Sequence, residues 1–498
     1  MENMPKRHVI TGFIMTILLV MTSVTGVGFA NDQESTKLDS STIDTFMTKE
    51  IERLKIPGAS LAIVKGEHVE YLQGYGVSKT DGTKMTSKTP IVLGSVSKSF
   101  TALAIMQLVE QGKIRLQDPV QAYIPWFHIA DKDESKRITI QHLLNHTSGL
   151  STYDGQVGIS QGDTTSDDHV KSLADLELKH PVGDRYEYSN LNYNILGVVI
   201  EKVTNQSYKD YVNEFIFKPL DMKHTYADPK DDTNHIIADG YQTAFGFKVP
   251  TKQLNHQGTV SSGYIISSAE DMANYMIVQL NHGTFNGNSI LSRNSMNALH
   301  HPSSFIGDDI YYAMGWEVKD GEISHNGWTE NTYSKVLLDG EYGISLQINS
   351  MDYFNLNEYD AIISGVNKLV HHEEPPTPTP QPFKKYVVID LILLAIMALI
   401  VWTVYRVFKP GRRKGNRILR ILDGVFTVIV FWLLPLIILI EFPYLLGPLS
   451  TVTLFAPGIG HLLFLLPLLL LIVGIVKLGK GMLSLRKATW ETRVKASL

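Results

Sequence analysis

Ser95 and Lys98 stand three residues apart in Val92-Leu93-Gly94-Ser95-Val96-Ser97-Lys98, just before the largely apolar stretch 99–108. At a helix N-terminus two residues so spaced share a face. A serine hydroxyl is a poor nucleophile until a neighbouring base takes its proton. A lysine can be that base once burial and nearby charge lower its pKa toward neutrality, and the positive end of the helix favours charge developing on Ser95. Two fixed positions in four recur by chance, however, and a capping serine beside a surface lysine meets the same spacing. Two other polar clusters add to the pattern. Tyr188-Ser189-Asn190 opens the helix-like run 191–200, and His325-Asn326-Gly327 precedes the last hairpin.

The elements that must position these groups are readable from periodicity. Ile43, Phe46, Met47, Ile51 and Leu54 recur at helical spacing after Ser40-Ser41-Thr42, which predicts a helix. Residues 60–64 and 69–75 read as a hairpin, as do 333–338 and 342–348 around Asp339-Gly340. Strands at both ends with helices between predict an α/β (α+β) fold, an antiparallel sheet flanked by helices with a helical subdomain.

With its three motifs in this order, together with Leu143 to Leu150 and Ser262-Gly263, the stretch 40–350 resembles the serine β-lactamase-like and penicillin-binding family, class C β-lactamase type. The resemblance implies a serine hydrolase. Ser95 would form an acyl-enzyme and Lys98 accept its proton. Tyr188 would relay a proton to the leaving group, and Asn190 orient Lys98 and the substrate. The N–H groups of Ser95 and of Trp328, which follows Gly327, would bind the oxyanion. His325 stands where β-lactamases and carboxypeptidases carry a lysine. A mostly neutral imidazole attracts a substrate carboxylate less, so an amide or ester without a free carboxylate there is expected.

A signal peptide, this domain and three apolar spans also resemble a narrower group, the membrane-bound D-asparaginyl peptidases that activate prodrugs in nonribosomal peptide pathways of the colibactin and zwittermicin type. That likeness implies cleavage of an N-acyl-D-asparagine cap from an exported peptide-like small molecule, with Ser189, His256 and Asn331 bonding the carboxamide. A primary amide offers two donors and an acceptor, and a site built for it rejects analogues lacking them. A cell-wall D,D-peptidase, a β-lactamase or an esterase would share every catalytic residue. A β-lactam-sensing receptor would use Ser95 as a covalent trap, but no output domain is recognisable in the short basic loop and tail.

Composition removes other classes. The chain has 498 residues, no cysteine and a net charge of -5. Thiol catalysis, disulfides and iron–sulfur ligation are excluded, and no basic face serves a nucleic acid. His142 and His146 are spaced as two metal ligands could be, but no third ligand or metalloprotease Glu is in register. Neither metal nor cofactor is expected.

Lys6, Arg7, an apolar run and Gly28-Phe29-Ala30 predict a signal peptide over 1–30. The hydrolase domain is expected over 31–370, then a Pro-rich linker over 371–385. Alternating prolines favour an extended spacer, which predicts a domain held nanometres above the lipid. Apolar spans follow at 386–408, 420–443 and 453–476, with a basic loop 409–419 and a basic tail 477–498. Positive-inside logic puts the domain outside a bacterial cytoplasmic membrane and the C-terminus inside. Asp390, Asp423, Glu441 and His461 are expected near interfaces. A candidate exporter could dock on the spans, from which no catalytic group is expected.

Overall fold

Residues 58–65 are apolar on both faces, and only a strand packed on both sides can hide such a run. They form β1 (Gly58–Lys65), buried in all but its last residue. The computed structural model describes residues 38–157, 164–254, 256–377, 382–408, 417–443 and 447–496. The expected signal peptide, the middle of the Pro-rich linker and most of the basic loop lie outside the described residues. All contacts below fall within the unit Ser41–Leu498.

β1 pairs with the more exposed β2 (His68–Gly76) on one side. The chain then leaves the sheet and returns with β3 (Ser304–Gly307), β4 (Ile310–Ala313), β5 (Trp316–Lys319), β6 (Glu322–Trp328), β7 (Tyr333–Asp339) and β8 (Tyr342–Ile348). The eight strands lie in the order β2-β1-β8-β7-β6-β5-β4-β3. Both expected hairpins form, and Gly340 takes φ +59° in the tight turn between β7 and β8. The fold is the expected mixed α/β type. Helices Ser40–Leu54, Ala269–Leu280 and Leu356–Val370 accompany the sheet, and a helical subdomain fills the chain between β2 and β3.

Two helices carry the chemistry, α1 (Ser97–Glu110) and α2 (Asn190–Thr204). α1 is buried continuously from Ser97 to Leu108, with Phe100 stacked on Tyr275 at 3.9 Å between centroids. A helix hydrophobic all round belongs in a core, and here it pins the residues that open it.

Among the described residues, three helices are long and apolar enough to cross a membrane: Lys384–Arg406, Ile421–Ile440 and Ile459–Leu483. The second widens into a π turn at Ile429–Leu433 before Pro435, whose ring cannot sit in an ordinary turn. The apolar run expected at 453–476 is broken. A short helix, Leu449–Phe455, ends at Ala456, and a long one runs Ile459–Ala496. Asp423 pairs with Lys477 across two helices at 3.1 Å.

The expectation of a domain raised on a spacer is corrected by direct contacts. Tyr386, two residues into the first of these helices, is buried and donates to the Asp352 carboxylate, which also pairs with half-buried Lys248 at 3.2 Å. Lys385 donates to the Phe354 carbonyl at 2.9 Å. On the hairpin Gly240–Ala244/Phe247–Thr251, Phe245 packs against Gly458 and Gly246 against Tyr386. The hydrolase domain sits on the ends of the apolar helices. Proline content sets the stiffness of a linker, but not whether its two ends bind each other.

Candidate active site

Ser95 lies in a 3-10 turn, Gly94–Val96, that feeds directly into α1. Two hydroxyls of β7 and the residue before it hold this turn, with Thr332 donating to the Val92 carbonyl at 2.8 Å and Ser334 to that of Leu93 at 2.6 Å. The turn also presses on the end of β6. A Cβ on Gly94 would lie 2.3 Å from the Trp328 nitrogen, and one on Gly327 would lie 2.0 Å from the Leu93 oxygen and 2.7 Å from the Ser95 nitrogen. Only glycines permit that approach. It brings the two backbone N–H groups assigned to the oxyanion, those of Ser95 and Trp328, to one gap.

Lys98 is fully buried. Its Nζ lies 3.1 Å from Ser95 Oγ, 2.8 Å from Asn190 Oδ1 and 2.6 Å from the Ser262 carbonyl. Among the described residues no carboxylate comes within ion-pair distance of it, and burial holds its pKa well below the usual lysine value. A neutral amine has two N–H bonds and one lone pair. Two of the three partners can only accept, so a neutral Lys98 would give them its two N–H groups and turn its lone pair to the Ser95 hydroxyl. That arrangement suits a general base.

Tyr188 stands across from this pair. Its ring centroid lies 4.9 Å from Lys98 Nζ. Burial raises its phenol, which a hydrogen bond with Ser95 partly offsets, so it remains a neutral donor that can protonate a leaving group. Thr152 fixes its backbone by donating to the Tyr188 carbonyl at 2.5 Å. Asn190, at the first turn of α2, also donates to the Gly155 carbonyl at 3.3 Å.

His325 is buried on β6, with Nδ1 2.5 Å from the Asn326 carbonyl and Nε2 3.4 Å from the Tyr312 hydroxyl. Burial, ahead of every other cause, pushes its pKa down to about 3. It is therefore an uncharged imidazole at neutral pH, as the third motif implies. His142 and His146 have structural employment. His142 completes a capping box with Thr139, and buried His146 accepts at Nδ1 from the Ser189 backbone at 3.1 Å and from Asn192 at 2.7 Å. His146 packs at 4.5 Å against the Tyr188 ring and so helps set it.

Ser95, Tyr188, Asn190, His325 and Trp328 line one cavity of about 280 Å³, with Lys98 beneath its floor. Ser189, His256 and Asn331 do not line it. Ser189 Oγ is buried with no hydrogen-bond partner among the described residues. His256 packs on Tyr264 at 4.6 Å. Asn331 spends its side-chain amide on Thr251, donating to its carbonyl at 3.2 Å and to its Oγ1 at 3.3 Å, beneath Gly240. Sequence reasoning missed other lining groups, Glu317 of β5, Gln156, and Thr451 and Phe455 from the connection before the last apolar helix. Burial raises the Glu317 carboxyl, only partly offset by Lys335. A lone charged residue in an alternating strand carries no signal of its own.

Residues 42–362 match the family described as Beta-lactamase. The Protein flp of Staphylococcus aureus (strain MW2) is 30% identical over 391 residues, 76% of this chain and 76% of that protein. Penicillin-binding protein 4 of Amycolatopsis lactamdurans is 28% identical over 242 residues, 48% of this chain and 63% of that one. Among solved structures, the octameric penicillin-binding protein homologue from Pyrococcus abyssi superposes with a TM-score of 0.60 at 24% identity, over 71% of this chain and 81% of that one. FmtA from Staphylococcus aureus gives 0.56, also at 24% identity, over 68% and 90%.

Proposed function

This chain belongs to the β-lactamase family of serine hydrolases, and on that premise we propose that it is a membrane-anchored peptidase that opens an amide or ester through an acyl-enzyme on Ser95. The arrangement of Lys98 carries this reading. Both of its N–H groups are directed at carbonyl oxygens, its charge is disfavoured by burial, and its lone pair is left for Ser95. Ser95 Oγ attacks the substrate carbonyl as its proton passes to Lys98. The Ser95 and Trp328 N–H groups receive the oxyanion. Tyr188, bonded to Ser95, delivers a proton to the leaving group, and water later releases the acyl group by the reverse path. On this reading the hydrolase domain lies outside the cell, supported by the basic residues around the apolar helices, with an exporter as candidate partner.

The electrostatics bear on the substrate. A neutral His325 and the Glu317 carboxyl line the cavity where a carboxylate-binding enzyme would need a cation. This supports an acyl donor without a free carboxylate beside β6. The specific substrate we propose is an N-acyl-D-asparaginyl cap on a peptide-like small molecule. Its support is the whole-chain resemblance and the unpaired Ser189 hydroxyl next to Tyr188 and Asn190. Asn331 and His256 would have to turn from Thr251 and Tyr264 to reach it.

Two measurements on the full-length protein test the two levels. A fluorophosphonate should label Ser95, and Ser95→Ala should abolish labelling and turnover. An adduct mapped to another serine sinks the hydrolase assignment. N-acyl-D-Asn amides should be cleaved roughly a hundredfold faster than D-Leu analogues. Equal rates remove the D-asparaginyl reading and leave the general hydrolase.

A further inference from the structure

Thr451 and Phe455 belong to the connection between the second and third apolar helices, yet they line the same cavity as Ser95, Asn190 and His325. Both are buried. The short helix Leu449–Phe455 bridges the two walls of the site. On one wall the Phe455 ring meets Trp328 edge-on, with centroids 5.0 Å apart and planes at 86°. On the other, Thr451 donates to the Gln156 carbonyl at 3.1 Å, within the helix Thr152–Val157 whose first residue fixes Tyr188. Gln242 of the small sheet donates to the Leu454 carbonyl and holds the strap from behind.

The two walls do different chemistry. The Trp328 side carries an oxyanion N–H, so the acyl carbon sits beside it. The Tyr188 side protonates the leaving group. Phe455 therefore stands on the acyl side, where the ring pair Phe455–Trp328 offers an apolar surface next to a polar catalytic end. Edge-to-face aromatic pairs are stable as a unit, and an apolar wall with a few convergent polar groups describes a small-molecule subsite.

We propose that Leu449–Phe455 is a wall of the active site and that Phe455 receives an apolar group on the acyl side of the substrate, so that the membrane-spanning region sets specificity. This rests on the hydrolase reading above and adds to it. The catalytic residues come from the outer domain alone, whereas the shape of the acyl subsite comes from both. Thr451 is a positioning residue, acting through its bond to Gln156.

The test uses the full-length protein in nanodiscs with 4-nitrophenyl acetate and 4-nitrophenyl hexanoate. Phe455→Ala should lower the ratio of kcat/KM for hexanoate over acetate roughly tenfold, the scale of losing a few methylene contacts in an apolar pocket. The loss should fall mainly on KM for hexanoate. Phe455→Leu, which keeps apolar volume and removes the ring, should give an intermediate ratio and carries the test if the alanine variant fails to fold. Thr451→Val should also lower the ratio. A ratio unchanged within twofold in both Phe455 variants, with Ser95 still labelled by a fluorophosphonate, overturns the wall and leaves the hydrolase standing. Equal loss on both esters makes the strap a structural brace and overturns the subsite. Absence of labelling at Ser95 in the wild type overturns the hydrolase reading itself.

Discussion

Replacing Asn190 with Asp changes one atom and installs a carboxylate against Lys98. The exchange turns the amide nitrogen into oxygen, and the oxygen it keeps, Oδ1, lies 2.8 Å from Lys98 Nζ. At that distance and an effective dielectric constant of about 20, two opposite charges attract by about 6 kcal/mol. If relaxation and solvent leave only a third, the ammonium gains about 2 kcal/mol over the amine, roughly thirtyfold in their ratio. The reactive form of Lys98 is the free amine, so the rate of acylation rises with pH as the proton leaves. Asn190→Asp should therefore slow fluorophosphonate labelling of Ser95 by up to about thirtyfold, most on the acid side, and displace the acid limb of its pH profile toward alkaline pH. Labelling should recover as pH is raised. Asn190→Ala is the control, because it deletes the acceptor without adding charge. It should slow labelling without moving the limb upward. An Asp variant whose limb coincides with that of the wild type would refute the argument that Lys98 works as an uncharged base.

Gly327→Ala should cut labelling more than a hundredfold, because its Cβ meets the Leu93 oxygen at 2.0 Å and neither backbone segment can withdraw. Overpacking costs of about 1–3 kcal/mol should also lower Tm by a few degrees, and labelling at the wild-type rate would show that this approach does not shape the oxyanion gap. Glu317→Gln should raise kcat/KM for acyl donors bearing a carboxylate, relative to neutral ones, roughly fivefold, the effect of removing about 1 kcal/mol of partly screened charge repulsion. An unchanged ratio would remove Glu317 from substrate selection.

The residues that act on one another across a single helical turn, or that form short polar clusters at helix starts, were legible. Ser95 and Lys98 were marked by type and spacing, Tyr188, Asn190 and His325 by the family resemblance their motifs carry, and the hairpins 60–75 and 333–348 by alternation and Asp339-Gly340. What escaped depended on partners remote in sequence. Pro457-Gly458 breaks the apolar run and marks a turn, but a reading by mean hydropathy passes over it, and nothing local shows that Thr451 and Phe455 turn back over Trp328. Asn331 is polar and well placed in the chain, but residue type does not reveal that Thr251 claims its amide. The contact of Tyr386 with Asp352 likewise defeats a reading of the prolines as distance, since stiffness was mistaken for separation.

The pairing of β1 with β8 has a consequence for the order in which the protein can become active. Ser60 bonds to Gln347, 287 residues later, at 3.2 Å. Until residues 342–348 have been synthesised, β1 has only β2 beside it, and a lone two-stranded ribbon is marginally stable in water. The turn that presents Ser95 is held by Thr332 and Ser334, which arrive almost as late. Contacts this distant must first meet a large loop-closure cost, which makes folding slow. A nascent chain therefore carries its serine without a base aligned by the sheet or a formed oxyanion gap until residues 332–348 have followed. The site can assemble only then, shortly before the first apolar helix.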